Sequence, residues 1–226
     1  MLNYTRRLAL TGFAALALAA CGGAGSGGDA PSGSDAGETK LVLKDIVIGD
    51  PNAPVTMVEY ASWTCGACLF FHNDVMPTVQ RDYIDTGKVK FVFREFPTPP
   101  MDVSVAGFLL ARCAGPDKNY DVIEELFSRQ AAFLTLARNG GQVKEALLQV
   151  AESHGISGSD AYDACIADED NKNAVSAAIQ AGRAKEVQAT PTIYLNGVML
   201  SNDARVSAVA FAAELDKALA AAGAAE

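Results

Sequence analysis

Cys65 and Cys68, spaced as Cys-Gly-Ala-Cys, stand between a β-rich run and a helical pattern, and that position constrains the chain more than any other feature. Before them, Val55-Thr56-Met57-Val58-Glu59-Tyr60, bounded by Pro54 and Ser62, reads as a buried strand. After them, Cys68, Phe71, Val75, Val79 and Tyr83 recur at helical spacing as far as Ile84, with Pro77 inside the run. A proline there lacks a donor and crowds the preceding turn, so it predicts a kink in a long helix. Gly87 breaks the pattern and Val89 to Arg94 reads as the next strand, with Ile46-Val47-Ile48 a further one. Strand, helix, strand in this order is a βαβ unit, which implies parallel pairing through a right-handed crossover.

The remainder has to complete that sheet. From Met101 to about Val187 only helical patterns occur: around Val105 to Arg112, Tyr120 to Phe127, Val143 to Val150 (ended by His154-Gly155), Ser159 to Ala167 and Lys172 to Glu186. Thr192-Ile193-Tyr194-Leu195 and Val198-Met199-Leu200 then flank Asn196-Gly197, the strongest short hairpin signal. A last amphipathic helix carries Val206, Val209, Leu215 and Leu219. The map is α/β: βαβ, an all-helical block, then ββα.

The N-terminal stretch does not belong to that map. Arg6 and Arg7 precede an apolar run, Leu8 to Ala20, too short to span a bilayer but suited to a secretory signal. Its end, Leu18-Ala19-Ala20-Cys21, resembles a bacterial lipoprotein signal, which implies cleavage before Cys21 and acylation of its sulfur. Ordinary cleavage after a small-x-small sequence is the alternative. The paired arginines hint at twin-arginine export and leave the Sec route open. Residues 21–44 then read as the lipidated N-terminus and a flexible Gly/Ser-rich linker, with no large apolar side chain between Gly22 and Glu38. Net charge is −9, and −11 without Arg6 and Arg7, which excludes a nucleic-acid partner that needs clustered cations. Five cysteines leave an odd one in an exported chain, and lipidation of Cys21 accounts for it.

At a helix start, the first sulfur of the motif lies beside unpaired backbone N–H groups where an anion is favoured. Cys65 is therefore the expected reactive thiol and Cys68, one turn in, the resolving thiol. Other readings compete. Cys65, Cys68 and His72 offer three zinc ligands, but no fourth ligand or second Cys-x-x-Cys accompanies them. A haem site needs His after the second Cys, where Leu69 stands. A structural staple is the third rival. Neither a metal nor a cofactor is expected.

Trp63-Thr64-Cys65-Gly66-Ala67-Cys68, followed by Phe71-His72, the strand Val89 to Pro97 and Ala189-Thr190-Pro191-Thr192 ahead of the hairpin, resembles the DsbA family of thiol:disulfide oxidoreductases. The resemblance implies an enzyme of thioredoxin fold over residues 45–222 with a helical insertion at about 101–187. It also implies that Pro191 is a cis-proline opposite the motif, with Thr190 offering its backbone to an extended substrate. Glu59, six residues before Cys65, takes the position of a buried acid that relays protons to the resolving cysteine; a solvated strand-end acid is the alternative. Cys113 and Cys165 fit a second disulfide found in the helical domain of some members, although buried free cysteines also pack as small apolar groups. Trp63, with Phe96 and Met101, is expected at an apolar substrate-binding rim or in the core, and His72 and His154 are expected to be structural.

The implied activity is oxidation of reduced or misfolded exported proteins, in a monomer anchored by lipid in the bacterial periplasm and reoxidised by a quinone-linked membrane partner. Gly22 after Cys21 lacks the aspartate of inner-membrane retention and points to the outer membrane. A reductase or isomerase of the same fold, and a non-catalytic envelope chaperone or binding module, are the alternatives. Gly66-Ala67 replaces the Pro-His dipeptide of strongly oxidising members, so no imidazole stands between the sulfurs. A potential more reducing than the roughly −120 mV of DsbA is expected.

Overall fold

The computed structural model describes residues 41–223. The signal peptide, Cys21 and most of the linker expected over residues 1–44 lie outside the described residues. The elements in chain order are β1 (Ile46–Ile48), β2 (Val55–Ala61), α1 (Gly66–Asp74), α2 (Met76–Val79), a π-helical turn (Gln80–Ile84) and β3 (Val89–Glu95). The insertion contributes α3 (Met101–Cys113), α4 (Asn119–Ser128), α5 (Gln130–Arg138), α6 (Val143–Ser153), α7 (Ser159–Ala167) and α8 (Glu169–Ala184). β4 (Thr192–Leu195), β5 (Val198–Met199), a 3-10 turn (Asn202–Val206) and α9 (Ala208–Gly223) follow.

The sheet has five strands in the order β1-β3-β2-β4-β5. β2 and β3 run parallel, from Val55 opposite Val89 to Ala61 opposite Glu95, while β1 lies antiparallel on β3 and β4 antiparallel on β2. This is the thioredoxin fold, with the helical insertion separating its two halves. Asn196 and Gly197 turn the last hairpin with φ of 47° and 82°, a left-handed pair that Asn-Gly tolerates.

Two helical details differ from the sequence reading. The break in the long helix comes at Val75, two residues before Pro77, because the proline opens the next helical segment near its first position. A helix over Gln130–Arg138 was not expected at all; only Arg129, at φ −100° and ψ 4°, separates it from α4. Phe71, Phe91, Phe93, Phe108, Phe133 and Phe211 are fully buried, in a core shared by the sheet, α1, α9 and the insertion. Among the described residues no helix is long and apolar enough to cross a membrane.

Candidate active site

The site begins where β2 ends. Ser62-Trp63-Thr64 carry the chain from the sheet to Cys65, the N-cap of α1 with extended backbone at φ −88° and ψ 124°. Cys65 is partly exposed and Cys68 is fully buried, both as free thiols. A hydrogen bond with the Cys68 side chain, helped by the Thr190 side chain and the N–H groups of Cys68 and Ala67, lowers the Cys65 pKa to about 5 against the opposing effect of burial. Burial acts the other way on Cys68: together with its bond to Cys65 and the charge of Glu59, it pushes that thiol well above its ordinary range. One sulfur is thus held as a nucleophile and leaving group at neutral pH, while its neighbour takes a proton whenever it is released.

Across from α1, the Thr190–Pro191 peptide is cis. The Cys65 thiol donates to the Thr190 carbonyl at 3.4 Å. Thr190 lies two residues before Thr192, the first residue of β4 paired with β2. The structure therefore brings together Cys65, Cys68, Thr190 and Pro191 from the two halves of the fold.

Glu59 lies beneath them on β2, between Phe93 of β3 and Ile193 of β4. Its carboxylate is wholly buried, so the solvated alternative does not hold. Oε2 is 3.1 Å from His72 Nε2, and Oε1 has no hydrogen-bond partner among the described residues. His72 is itself held by stacking on Phe127 at 4.2 Å.

Trp63 is a correction. It is not at a substrate-binding rim: the indole is fully buried, stands edge-on to Phe133 and donates from Nε1 to the Ser104 carbonyl at 2.9 Å. Gly107 of α3 makes room for it, since a Cβ there would collide with the indole ring. Trp63 thereby ties the motif to the insertion. Phe96 is also mostly packed, against Tyr60 and Gly182, whereas Met101 is half exposed.

Three features escaped the sequence reading. Gln130, at the start of the unexpected α5, is buried and donates from Nε2 to the carbonyls of Trp63 at 2.7 Å and Cys65 at 3.0 Å. A buried hydroxyl cluster joins Ser62 to Thr64 at 2.8 Å and to Ser104 at 2.9 Å, and Thr64 donates to the Thr98 carbonyl. Arg205, in the 3-10 turn, lies close enough to Cys68, Glu59 and Cys65 for their negative charges to offset the lowering of its own pKa by burial. None of these has a sequence spacing that marks it; each acquires its place from tertiary packing.

Cys113 and Cys165 form a disulfide joining α3 to α7, with Cα atoms 5.8 Å apart. His154 pairs with Glu125 at 2.9 Å, away from the sulfurs. Among the described residues no three His, Cys, Asp or Glu side chains stand close enough to share a metal ion.

A family model described as Thioredoxin matches residues 42–214. Disulfide bond formation protein D of Bacillus subtilis is 29% identical over 178 residues, which cover 69% of this chain and 69% of that protein. A Rickettsia bellii protein, named as a candidate protein-disulfide oxidoreductase, is 26% identical over 80% of this chain. The chain spans 66% of that relative's length, and 57% of a Rickettsia conorii homologue. Among solved structures, alpha-DsbA1 of Wolbachia pipientis superposes with a TM-score of 0.68 at 27% identity, over 80% of this chain and 96% of that one. Oxidised BdbD of Bacillus subtilis gives 0.64 at 26% identity, over 77% and 92% of the two chains.

Proposed function

Because the chain belongs to the thioredoxin family, in its DsbA-type group of thiol:disulfide oxidoreductases, we propose that it introduces disulfide bonds into exported proteins through Cys65 and Cys68. The observation that carries this reading is the contrast between the sulfurs, with Cys65 lowered to about 5 and Cys68 raised. A stabilised Cys65 thiolate favours the reduced enzyme, and an enzyme that prefers to be reduced gives its disulfide away.

In the oxidised enzyme a client thiolate attacks Cys65 Sγ. The Cys65–Cys68 bond breaks, its electron pair goes to Cys68, and that sulfur takes a proton. The client's second thiolate then attacks its own sulfur in the mixed disulfide and expels Cys65 as a thiolate. Thr190, whose carbonyl already reaches Cys65, and Pro191 would line the client backbone. Glu59 would serve as the proton relay to Cys68.

The same reading keeps Cys21 as the lipid anchor of a monomer in the periplasm, with the outer membrane preferred, and a quinone-linked membrane oxidase as the partner that restores the disulfide. A Cys65 pKa of about 5 falls between the roughly 7 of thioredoxin and roughly 3.5 of DsbA. The expected potential is more reducing than the roughly −120 mV of DsbA. Oxidative refolding of a reduced multi-disulfide protein is expected to accelerate with the wild type and not with Cys65→Ser. Equal acceleration by the variant would leave only a binding or chaperone role, and a potential at or above that of DsbA, measured against glutathione, would refute the effect assigned to Gly66-Ala67.

A further inference from the structure

Cys68 and Glu59 are both sealed from water, yet the proposed chemistry requires a proton to reach Cys68 when the disulfide opens and to leave it when the disulfide reforms. Glu59 by itself only moves the difficulty one group further in. The single titratable side chain hydrogen-bonded to it among the described residues is His72, whose Nε2 stands 3.1 Å from Oε2. The imidazole is 6% exposed, against 0% for the carboxylate, so it is the member of the pair nearer the surface. Its other nitrogen, Nδ1, is 3.4 Å from the Tyr120 hydroxyl on α4.

The surroundings fix this ring. Phe127 stacks on it at 4.2 Å with an interplanar angle of 23°, and Phe93 of β3 meets it edge-on at 6.2 Å. From α4, Glu124 and, behind it, Asp121 supply the remaining nearby acids: burial raises the Glu124 carboxyl, the charge of His72 lowers it, and Asp121 raises it. Tyr120 is held far above its ordinary range, first by burial and then by the charge of Glu59, so it stays protonated. Arg205 approaches Glu59 from the 3-10 turn. An imidazole has two nitrogens and can take a proton at one and release it at the other, so His72 can extend a relay that begins at Glu59 Oε2.

We propose that His72 is a positioning residue and proton outlet for Glu59: it holds Oε2, leaves Oε1 without a partner among the described residues and available to Cys68, and passes the shared proton outward through Nδ1, beside the Tyr120 hydroxyl. When a thiolate attacks Cys65 and the sulfur–sulfur electron pair passes to Cys68, the Glu59–His72 pair gives Cys68 its proton and regains one through His72. On reoxidation the same proton travels outward, freeing the Cys68 thiolate to attack a mixed disulfide on Cys65. The role rests on the exchange chemistry proposed above but not on its net direction, since the proton must move in either.

The test is reduction of the Cys65–Cys68 disulfide in the full-length protein by dithiothreitol, with rates expressed per reductant thiolate between pH 5 and 9. His72→Gln keeps a polar group facing Glu59 but carries no proton at these pH values; His72→Phe keeps the ring stack on Phe127 and serves if the first variant does not fold. Either is expected to slow reduction roughly 10- to 100-fold, around the lower end of positioned acid–base effects, and to abolish the pH dependence of the wild type. Combining the variant with Glu59→Gln is expected to slow it no further. A profile that superposes on the wild type, or a double variant whose loss is the product of the two single losses, overturns the proposal. The assay uses no protein client, so failure of wild-type oxidative refolding would sink the oxidase reading and leave this one standing.

Discussion

Glu59 and Glu95 are both wholly buried acids on adjacent central strands, and they answer the same problem in opposite ways. Glu95 closes β3 and pairs with Arg112 of α3: the guanidinium donates from Nη2 to Oε2 at 2.8 Å, while Nε lies 2.7 Å from Oε1 without a well-directed hydrogen bond. An arginine cannot give up its proton in a protein, so this pair is a permanent charge lock between the sheet and the insertion. Glu59 has a histidine for partner and an oxygen with none. A lock holds both carboxylate oxygens within ion-pair distance of a group that never titrates; a relay keeps a partner that titrates and leaves one oxygen without a partner.

The sharpest way to break this comparison is to remove each partner and measure stability. Arg112→Met leaves Glu95 as an uncompensated buried charge and is expected to cost about 3–5 kcal/mol at neutral pH in urea denaturation. Burial already raises the Glu95 carboxyl against the pull of Arg112. Without the arginine it would rise further, and a carboxyl raised in the folded state loses stability as pH climbs through and above its unfolded value of about 4.3. The deficit of the variant is therefore expected to shrink as pH falls below 5. A deficit that is small at pH 7, or that grows on acidification, would show that the pair is no lock.

A second contact sharpens the comparison because it joins the insertion to the motif without any charge. Gln130 gives two hydrogen bonds to the carbonyls of Trp63 and Cys65. Gln130→Leu leaves those acceptors unpaired in a closed environment and is expected to cost about 1–3 kcal/mol, less than loss of the arginine. The cost should be similar in the oxidised and reduced forms, because the carbonyls do not take part in exchange. A loss confined to one redox state would move Gln130 from the scaffold into the chemistry.

These contacts also mark where sequence stopped being informative. The strands, the parallel βαβ unit and the Asn196-Gly197 hairpin were legible because alternation, breakers and turn residues are local signals. That Cys65, Cys68, Thr190 and Pro191 meet in space was legible because the resemblance rests on their order along the chain. α5 was not, because Ser128-Arg129-Gln130 contains neither glycine nor proline to punctuate the end of α4 and the start of the next helix. Trp63 was misassigned because an aromatic side chain beside a reactive motif carries the same letter whether it faces a client or the core. Only the space left by Gly107 and the acceptor at Ser104 decide between them. Glu59 was visible as an acid in an apolar strand, but its partner, 13 residues away on α1, depended on how the helix crosses the sheet.

The smallest expected effect is the most discriminating. Glu59→Gln removes a buried charge whose Oε1 has no partner, so what is lost with the histidine contact is offset by relief of desolvation. The change in stability of the oxidised protein is expected to stay within about 1 kcal/mol of zero, with either sign, although this acid is as deeply buried as Glu95. In the reduced protein the same substitution removes a negative charge that helps hold the Cys68 thiol high. A thiol raised in the folded state costs stability only as pH rises through and above its unfolded value of about 8.5, so relieving it shows on the alkaline side alone. Reduced Glu59→Gln is therefore expected to gain on reduced wild type above about pH 8.5 and to match it at pH 6. A loss as large as that of Arg112→Met in either redox state would make Glu59 a second lock and remove the basis for reading its open oxygen as a relay.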